Sequence, residues 1–181
     1  MKKFLSIAIL SLLTGMSTAH AGFLLDPYFS YAVSGTNSGL TDSTMTGSEL
    51  GARLGWDMMG LGFGVDGIVS GSYTYKQNSV SSDIKPSYYG VFVSYKFPIV
   101  LRGYVSYLLS SKETMTVSGI DSTLTGTGTK VGIQYTGFPF VAIGVEYVSS
   151  KYDKVEFGGL SITQSNDANH TAIALSFPFV L

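Results

Sequence analysis

Few side chains in this sequence have the reach to do chemistry. His170 is the sole histidine beyond the first 21 residues, and Glu156, Ser165 and Asp167 stand close to it in sequence. These are the residue types of a Ser/His/carboxylate set, in which an imidazole takes the hydroxyl proton and a carboxylate orients the ring. Such a set is defined by mutual geometry, which nearness along the chain does not supply. The plainer role for His170 is a polar residue where the last strand begins. Cysteine is absent, which excludes disulfides, thiolate metal sites and cysteine nucleophiles. A multi-histidine metal site is excluded too, and no spacing matches a calcium loop. The glycines recur at alternate positions rather than in phosphate-cradling loops. The expectation is therefore no enzyme, no metal and no cofactor.

A second constellation is ionic. Glu49, Arg53, Asp57, Asp66, Lys96, Arg102, Lys130 and Glu146 are spread among glycines, serines and alanines. Their meaning depends on the elements that carry them. Those elements alternate with period two, the signature of strands with one apolar face. The apolar faces read Leu25, Phe29, Tyr31, Val33; then Leu50, Leu54, Trp56, Met58; then Leu61, Phe63, Val65, Val69, Tyr73. They continue with Tyr89 to Phe97, Leu101 to Leu109, Val131 to Tyr135, Val141 to Tyr147 and Ile173 to Phe179, making eight strands. The eight charged residues fall on the opposite face.

Composition and the chain's beginning set the compartment. Charged residues make up 13% of the 181, and Lys+Arg 11 against Asp+Glu 12 gives a net charge of -1. That balance offers nothing to nucleic acid. Lys2 and Lys3, the apolar run Phe4 to Leu13 and the Ala19-His20-Ala21 site form a cleavable signal peptide over 1–21, since the apolar run is too short to span a membrane as a helix. The remaining 22–181 is a single domain. Its connections alternate between short, at Met59-Gly60, Pro98 to Val100 and Gly137 to Pro139, and long, near 35–46, 76–86, 111–126 and 153–168.

Volume decides which face points inward. An eight-stranded barrel has an interior just wide enough for side chains to fill it. The large apolar residues would overfill it, whereas the Gly/Ser face with its few charges fits. The apolar face then meets lipid, and Tyr31, Tyr73, Tyr75, Tyr95, Tyr107, Tyr135 and Tyr147 form interfacial girdles. A soluble barrel of the lipocalin type would need the large residues inside. The prediction is an all-β fold: an eight-stranded antiparallel transmembrane up-and-down β-barrel behind a cleavable signal peptide.

Register sharpens the ionic reading. A two-residue turn at Met59-Gly60 sets Trp56 opposite Phe63 and Arg53 opposite Asp66. A three-residue turn at Gly137 to Pro139 sets Lys130 opposite Glu146 and Tyr135 opposite Val141. A turn at Pro98 to Val100 sets Lys96 opposite Arg102, a repulsive pair for which Asp57 and Asp66 are the candidate carboxylates. The expected result is a charge-plugged lumen. In the long connections, Val155 and Phe157, Gly158-Gly159, then Leu160 and Ile162 read as a protruding hairpin, as do Met115 to Ile120. Such a ribbon offers strand edges to a partner.

These features resemble the small eight-stranded outer-membrane β-barrel proteins, the OmpA membrane domain and the OmpX and Ail type, across 22–181. The last strand, Ile173 to Leu181, closes the likeness. It ends in Leu181 with Phe179 two residues earlier, where the family ends in an aromatic residue. The resemblance implies a monomer in a Gram-negative outer membrane with both termini periplasmic. It also implies contact with outer-membrane lipid and the assembly machinery, and a non-enzymatic role in the envelope in which outer loops meet an extracellular surface ligand. A small gated channel, porin-like, and a lipid A-modifying enzyme built on His170 are the alternatives.

Overall fold

The computed structural model describes residues 21–37, 44–77, 80–117, 120–157 and 160–181; the signal-peptide reading of 1–21 therefore lies, save for Ala21, outside the described residues. Eight long strands follow one another: β1 Gly22–Asn37, β2 Thr44–Met58, β3 Leu61–Gln77, β4 Val80–Phe97, β5 Leu101–Val117, β6 Ile120–Phe138, β7 Val141–Phe157 and β8 Leu160–Ser176. A two-residue strand, β9 Phe179–Val180, pairs with β1. Each strand pairs antiparallel with the next, and β1 pairs with both β2 and β8. The ring is closed, which removes the edges that an open sheet would leave in lipid.

Alternation orients the strands as volume requires. Trp56, Phe63, Val93, Tyr107, Ile133 and Val145 are exposed on the outside, while Arg53, Asp66, Lys130 and Glu146 are buried inside. On β5 the outward apolar run spans Leu101 to Leu109, and the next charged outward residue, Lys112, is exposed. Nine to eleven tilted residues cross a bilayer, so the lipid-facing band of β5 ends at Leu109. Tyr31, Tyr89, Tyr107 and Tyr147 are exposed toward the long-hairpin side of this band, in the place of an interfacial girdle.

Two of the departures from simple alternation overturn expected positions. Tyr73 and Tyr75, expected in the girdle, are 1% and 3% exposed and point inward. The cause is a bulge at Val69: Leu50 pairs with Ser70, but Gly51 pairs with Ile68. One extra residue reverses the faces beyond it, turning Tyr73 in and Ser70 out. The second departure is the turn after β6. The chain turns at Pro139-Phe140, not Gly137 to Pro139, with Phe138 opposite Val141 and a register shift behind it. Proline supplies the first turn position and Phe140 the left-handed second, at φ 63, as in a type II turn. Tyr135 thus faces Ile143, Glu146 faces Gly132 and Lys130 faces Val148. The expected Lys130–Glu146 pair does not form.

The other registers match the turn arithmetic. Trp56 faces Phe63, Leu54 faces Val65 and Arg53 faces Asp66, and Lys96 faces Arg102. The segments read as long loops are largely strand: β5 and β6 pair out to Val117 and Ile120, and β7 and β8 out to Phe157 and Leu160. The turns at Ser118-Gly119 and Gly158-Gly159 lie outside the described residues.

Candidate functional site

The lumen is filled by a charge network built from six strands. Arg53 on β2 lies at its centre. Its guanidinium donates to Asp26 at 3.0 Å and to Glu146 at 2.9 Å, with Asp66 at 3.6 Å. It is sandwiched between the rings of Tyr28 and Tyr104, at 4.5 and 3.9 Å from their centroids. Lys130 on β6 pairs with Asp66 at 3.0 Å and donates to the hydroxyls of Tyr28 and Tyr88. Arg102 on β5 donates to Asp26 at 2.6 Å, and also to Gln134 and Ser176. Tyr104 donates to Glu146, and Ser106 to Asp66. Three cations thus meet three carboxylates, and the plug is neutral as a whole. Buried charges of this kind are tolerated only when paired and hydrogen-bonded.

Glycine makes the packing possible. A Cβ on Gly51 would collide with the Tyr28 ring, and one on Gly132 with the Tyr104 ring. The small face of the strands is therefore not empty space but the room taken by inward tyrosines.

The predicted charged residues divide into three groups. Arg53, Asp66, Arg102, Lys130 and Glu146 meet in the plug. Glu49 is buried above it and takes no cation: it accepts from Ser30, Tyr73 and Tyr88, at 2.8, 2.6 and 2.6 Å. Asp57 and Lys96 stand at the short-turn mouth, outside the plug, and neither joins an ion pair among the described residues. Arg102 finds its carboxylate in Asp26, not in Asp57 or Asp66. Asp26 was missed although its parity with Ser30 places it on the lumenal face. Tyr28, Tyr88 and Tyr104 were missed because an aromatic residue in a membrane barrel reads as girdle.

His170 is buried under the outer opening. Tyr73 Oη lies 3.2 Å from its Nε2, and the two rings meet edge to face. Ser165 and Glu156 are exposed on the ribbon above, and Glu156 pairs with Lys154. The Ser/His/carboxylate set is not assembled. Among the described residues no group of three or more His, Asp or Glu side chains could hold a metal ion.

Beyond Leu109 the barrel rises into a collar. Glu113 on β5, past the lipid-facing band, is buried beside Tyr75 and Tyr152 with one carboxylate oxygen unpartnered. Burial pushes its carboxyl from the ordinary 4.5 up to about 7. Glu113 pairs in register with Leu124, which pairs with Val155, which pairs with Ile162. Residues opposite one another share a face. Val155 and Ile162 therefore look toward the barrel axis, not outward, and so do Phe157 and Leu160, through Ser122 and Met115. Leu160 is 71% and Ile162 58% exposed: a concave apolar wall stands over the outer opening. On its far side β8 pairs with β1 only from Ala168 onward, so among the described residues 160–165 have no strand partner on that side.

No protein-family model matches the chain, and no curated protein matches it. Among solved structures it is similar to Neisserial surface protein A, with a TM-score of 0.58 and 20% identity over 88% of this chain and 99% of that one. It is also similar to Ail, the attachment invasion locus protein of Yersinia pestis, in complex with the heparin analogue sucrose octasulfate. There the TM-score is 0.53 and the identity 12%, over 90% of this chain and 100% of that one. The fold is that of the small eight-stranded outer-membrane β-barrels. In a barrel of that fold, a neutral, hydrogen-bonded lumen is a filled core.

Proposed function

We propose that the protein is a sealed barrel of the Gram-negative outer membrane, non-enzymatic, that displays its collar outside the cell to capture an extended segment of a surface partner. On this reading the short turns and both termini face the periplasm. What supports this reading is the strand edge 160–165, without a partner on its far side among the described residues, with the apolar wall of Val155, Phe157, Leu160 and Ile162 beside it. An extended peptide laid along β8 would complete the edge's hydrogen bonds and turn alternate apolar side chains onto that wall, the mode of β-strand addition. The proposed partner supplies an apolar-alternating strand; the barrel supplies anchorage in outer-membrane lipid. A heparin-like polyanion, the ligand class seen with the Yersinia protein, is a second probe for the exposed Lys112, Lys151 and Lys154.

The test removes 153–162 and measures binding of cells displaying the barrel to host cells and matrix. Loss of binding by a variant that still reaches the membrane folded supports the reading; undiminished binding removes the ribbon from it. The channel alternative is tested by conductance of the refolded protein in a planar bilayer. The plug predicts silence, and stable discrete steps from the wild type would reverse that.

A further inference from the structure

The short-turn mouth holds a cavity of about 130 Å³, close to the size that admits one benzene-sized molecule. Its lining includes Asp57, Lys96, Arg102, Thr136, Phe138 and Phe140. Lys96 stands directly opposite Arg102 in the β4–β5 ladder, where like charges repel. Arg102 is compensated by Asp26 and Gln134 through its Nη2 and Nε, and none of these contacts uses Nη1. Lys96 is exposed and has no ion pair among the described residues, and Asp57 reaches neither cation. Arg102 is thus offset from the plug side by Asp26, while on the cavity side it faces Lys96 across the ladder with no anion between them among the described residues. The Thr136 hydroxyl on its lining is buried without a partner.

We propose that this cavity binds a small carboxylate with an apolar body, its carboxylate between Lys96 and Arg102 and its body against Phe138 and Phe140. An anion relieves the repulsion that the ladder imposes, and a guanidinium is a directional partner for a carboxylate oxygen. The Thr136 hydroxyl adds a donor. A hydrated inorganic anion would leave the phenylalanine walls unfilled, and a neutral apolar molecule would leave the two cations facing each other. The cavity volume limits the guest to about six heavy atoms, which is the size of butyrate. This site is at the opposite end of the barrel from the collar and does not rest on the attachment reading.

The experiment titrates sodium butyrate into the isotopically labelled protein, refolded in nonionic micelles, and follows backbone amide signals. Saturable shifts are expected at Lys96, Val100 to Arg102 and Thr136 to Phe140. Lys96→Gln should weaken butyrate by about tenfold, the size of one charge-assisted contact. Phe140→Ala should weaken it while leaving the spectrum of the other strands unchanged. Equal shifts with butanol would mean apolar partitioning, and equal shifts with sodium phosphate an adventitious ion only; either overturns the proposal. So would an unaffected Lys96→Gln variant, or a folded wild type that shows no shifts.

Discussion

The plug and the collar are built from the same eight strands and use polar groups in opposite ways. In the plug each carboxylate meets a cation: Asp26 and Glu146 meet Arg53, and Asp66 meets Lys130. In the outer lumen and collar the buried carboxylates meet hydroxyls. Glu49 accepts from Ser30, Tyr73 and Tyr88, and Glu113 lies beside Tyr75 and Tyr152 without a cation. The plug is where lipid surrounds the wall, so an uncompensated charge there has no water to turn to. The collar stands beyond the apolar band, where polar groups and open strand edges can be solvated. The lower half is therefore an anchor that resists change, and the upper half is where change can be tolerated.

The largest effect is expected at Arg53. Arg53→Ala leaves Asp26, Glu146 and Asp66 without their shared cation, and breaking a buried ion pair costs about 3–5 kcal/mol. Urea unfolding of the micelle-refolded protein should show a loss of that order. A loss under about 1 kcal/mol would mean that the plug is hydrated like a surface and would erase the contrast with the collar. Lys154→Ala, which removes an exposed pair with Glu156, is the control and should change stability by less than about 1 kcal/mol.

Glu113 gives the collar's own signature. Its folded value of about 7 lies above the ordinary 4.5, so the folded state holds a proton that the unfolded chain releases. Stability is unaffected by this group below about pH 4.5, falls as pH rises from there through about 7, and stays lowered above that. The loss amounts to ~3 kcal/mol if the whole shift is realised. Glu113→Gln should flatten this slope, leaving the variant more stable than wild type at pH 8. A wild-type profile that is flat between pH 5 and 8 would mean that the collar carboxylate is solvated.

Between these in kind lies the glycine face. Gly132→Val puts a branched side chain where the Tyr104 ring lies, and overpacking of this sort costs about 1–3 kcal/mol. Gly67, whose nearest neighbour would stand 3.3 Å from an added Cβ, should accept alanine with a much smaller loss. Equal losses at the two positions would show that inward tyrosines do not set the small face.

The sequence showed the architecture well because alternation and barrel volume are strong constraints. It fixed Arg53 opposite Asp66, since a two-residue turn leaves one register. It misplaced Tyr73 because a single bulge at Val69 reverses the faces beyond it, and nothing in residue type marks Val69 as the extra one. It placed Lys130 in the lumen but gave it the wrong partner, Glu146, because the turn reads as Gly137 to Pro139 while the chain turns at Pro139-Phe140. The network itself was half legible. Which residues face the lumen follows from parity, but which of them meet depends on distance across the barrel, as with Arg53 and Glu146, separated by 93 residues. Sequence register describes neighbours around the ring and not partners through its centre.

The smallest effect lies at the short-turn end. Met59, Val100 and Phe140 all take left-handed φ values, of 56, 55 and 63. For a β-branched residue this is a strained place, costing about 1–2 kcal/mol. Val100→Gly removes the strain, but glycine also loses more freedom on folding, by about 0.4–1 kcal/mol. The net gain should be under about 1 kcal/mol, visible as a small rise in the urea midpoint with an unchanged slope. Because Val100 follows Phe97 and precedes Arg102, the same variant bears on the mouth cavity. If it loosens the turn enough to separate Lys96 from Arg102, the gain should exceed the backbone term alone, since the repulsion between them would fall as well. Repeating the measurement at high salt separates the two contributions. Salt screens the charge pair and not the backbone, so a gain that shrinks with added salt belongs to Lys96 and Arg102, and one that persists belongs to φ.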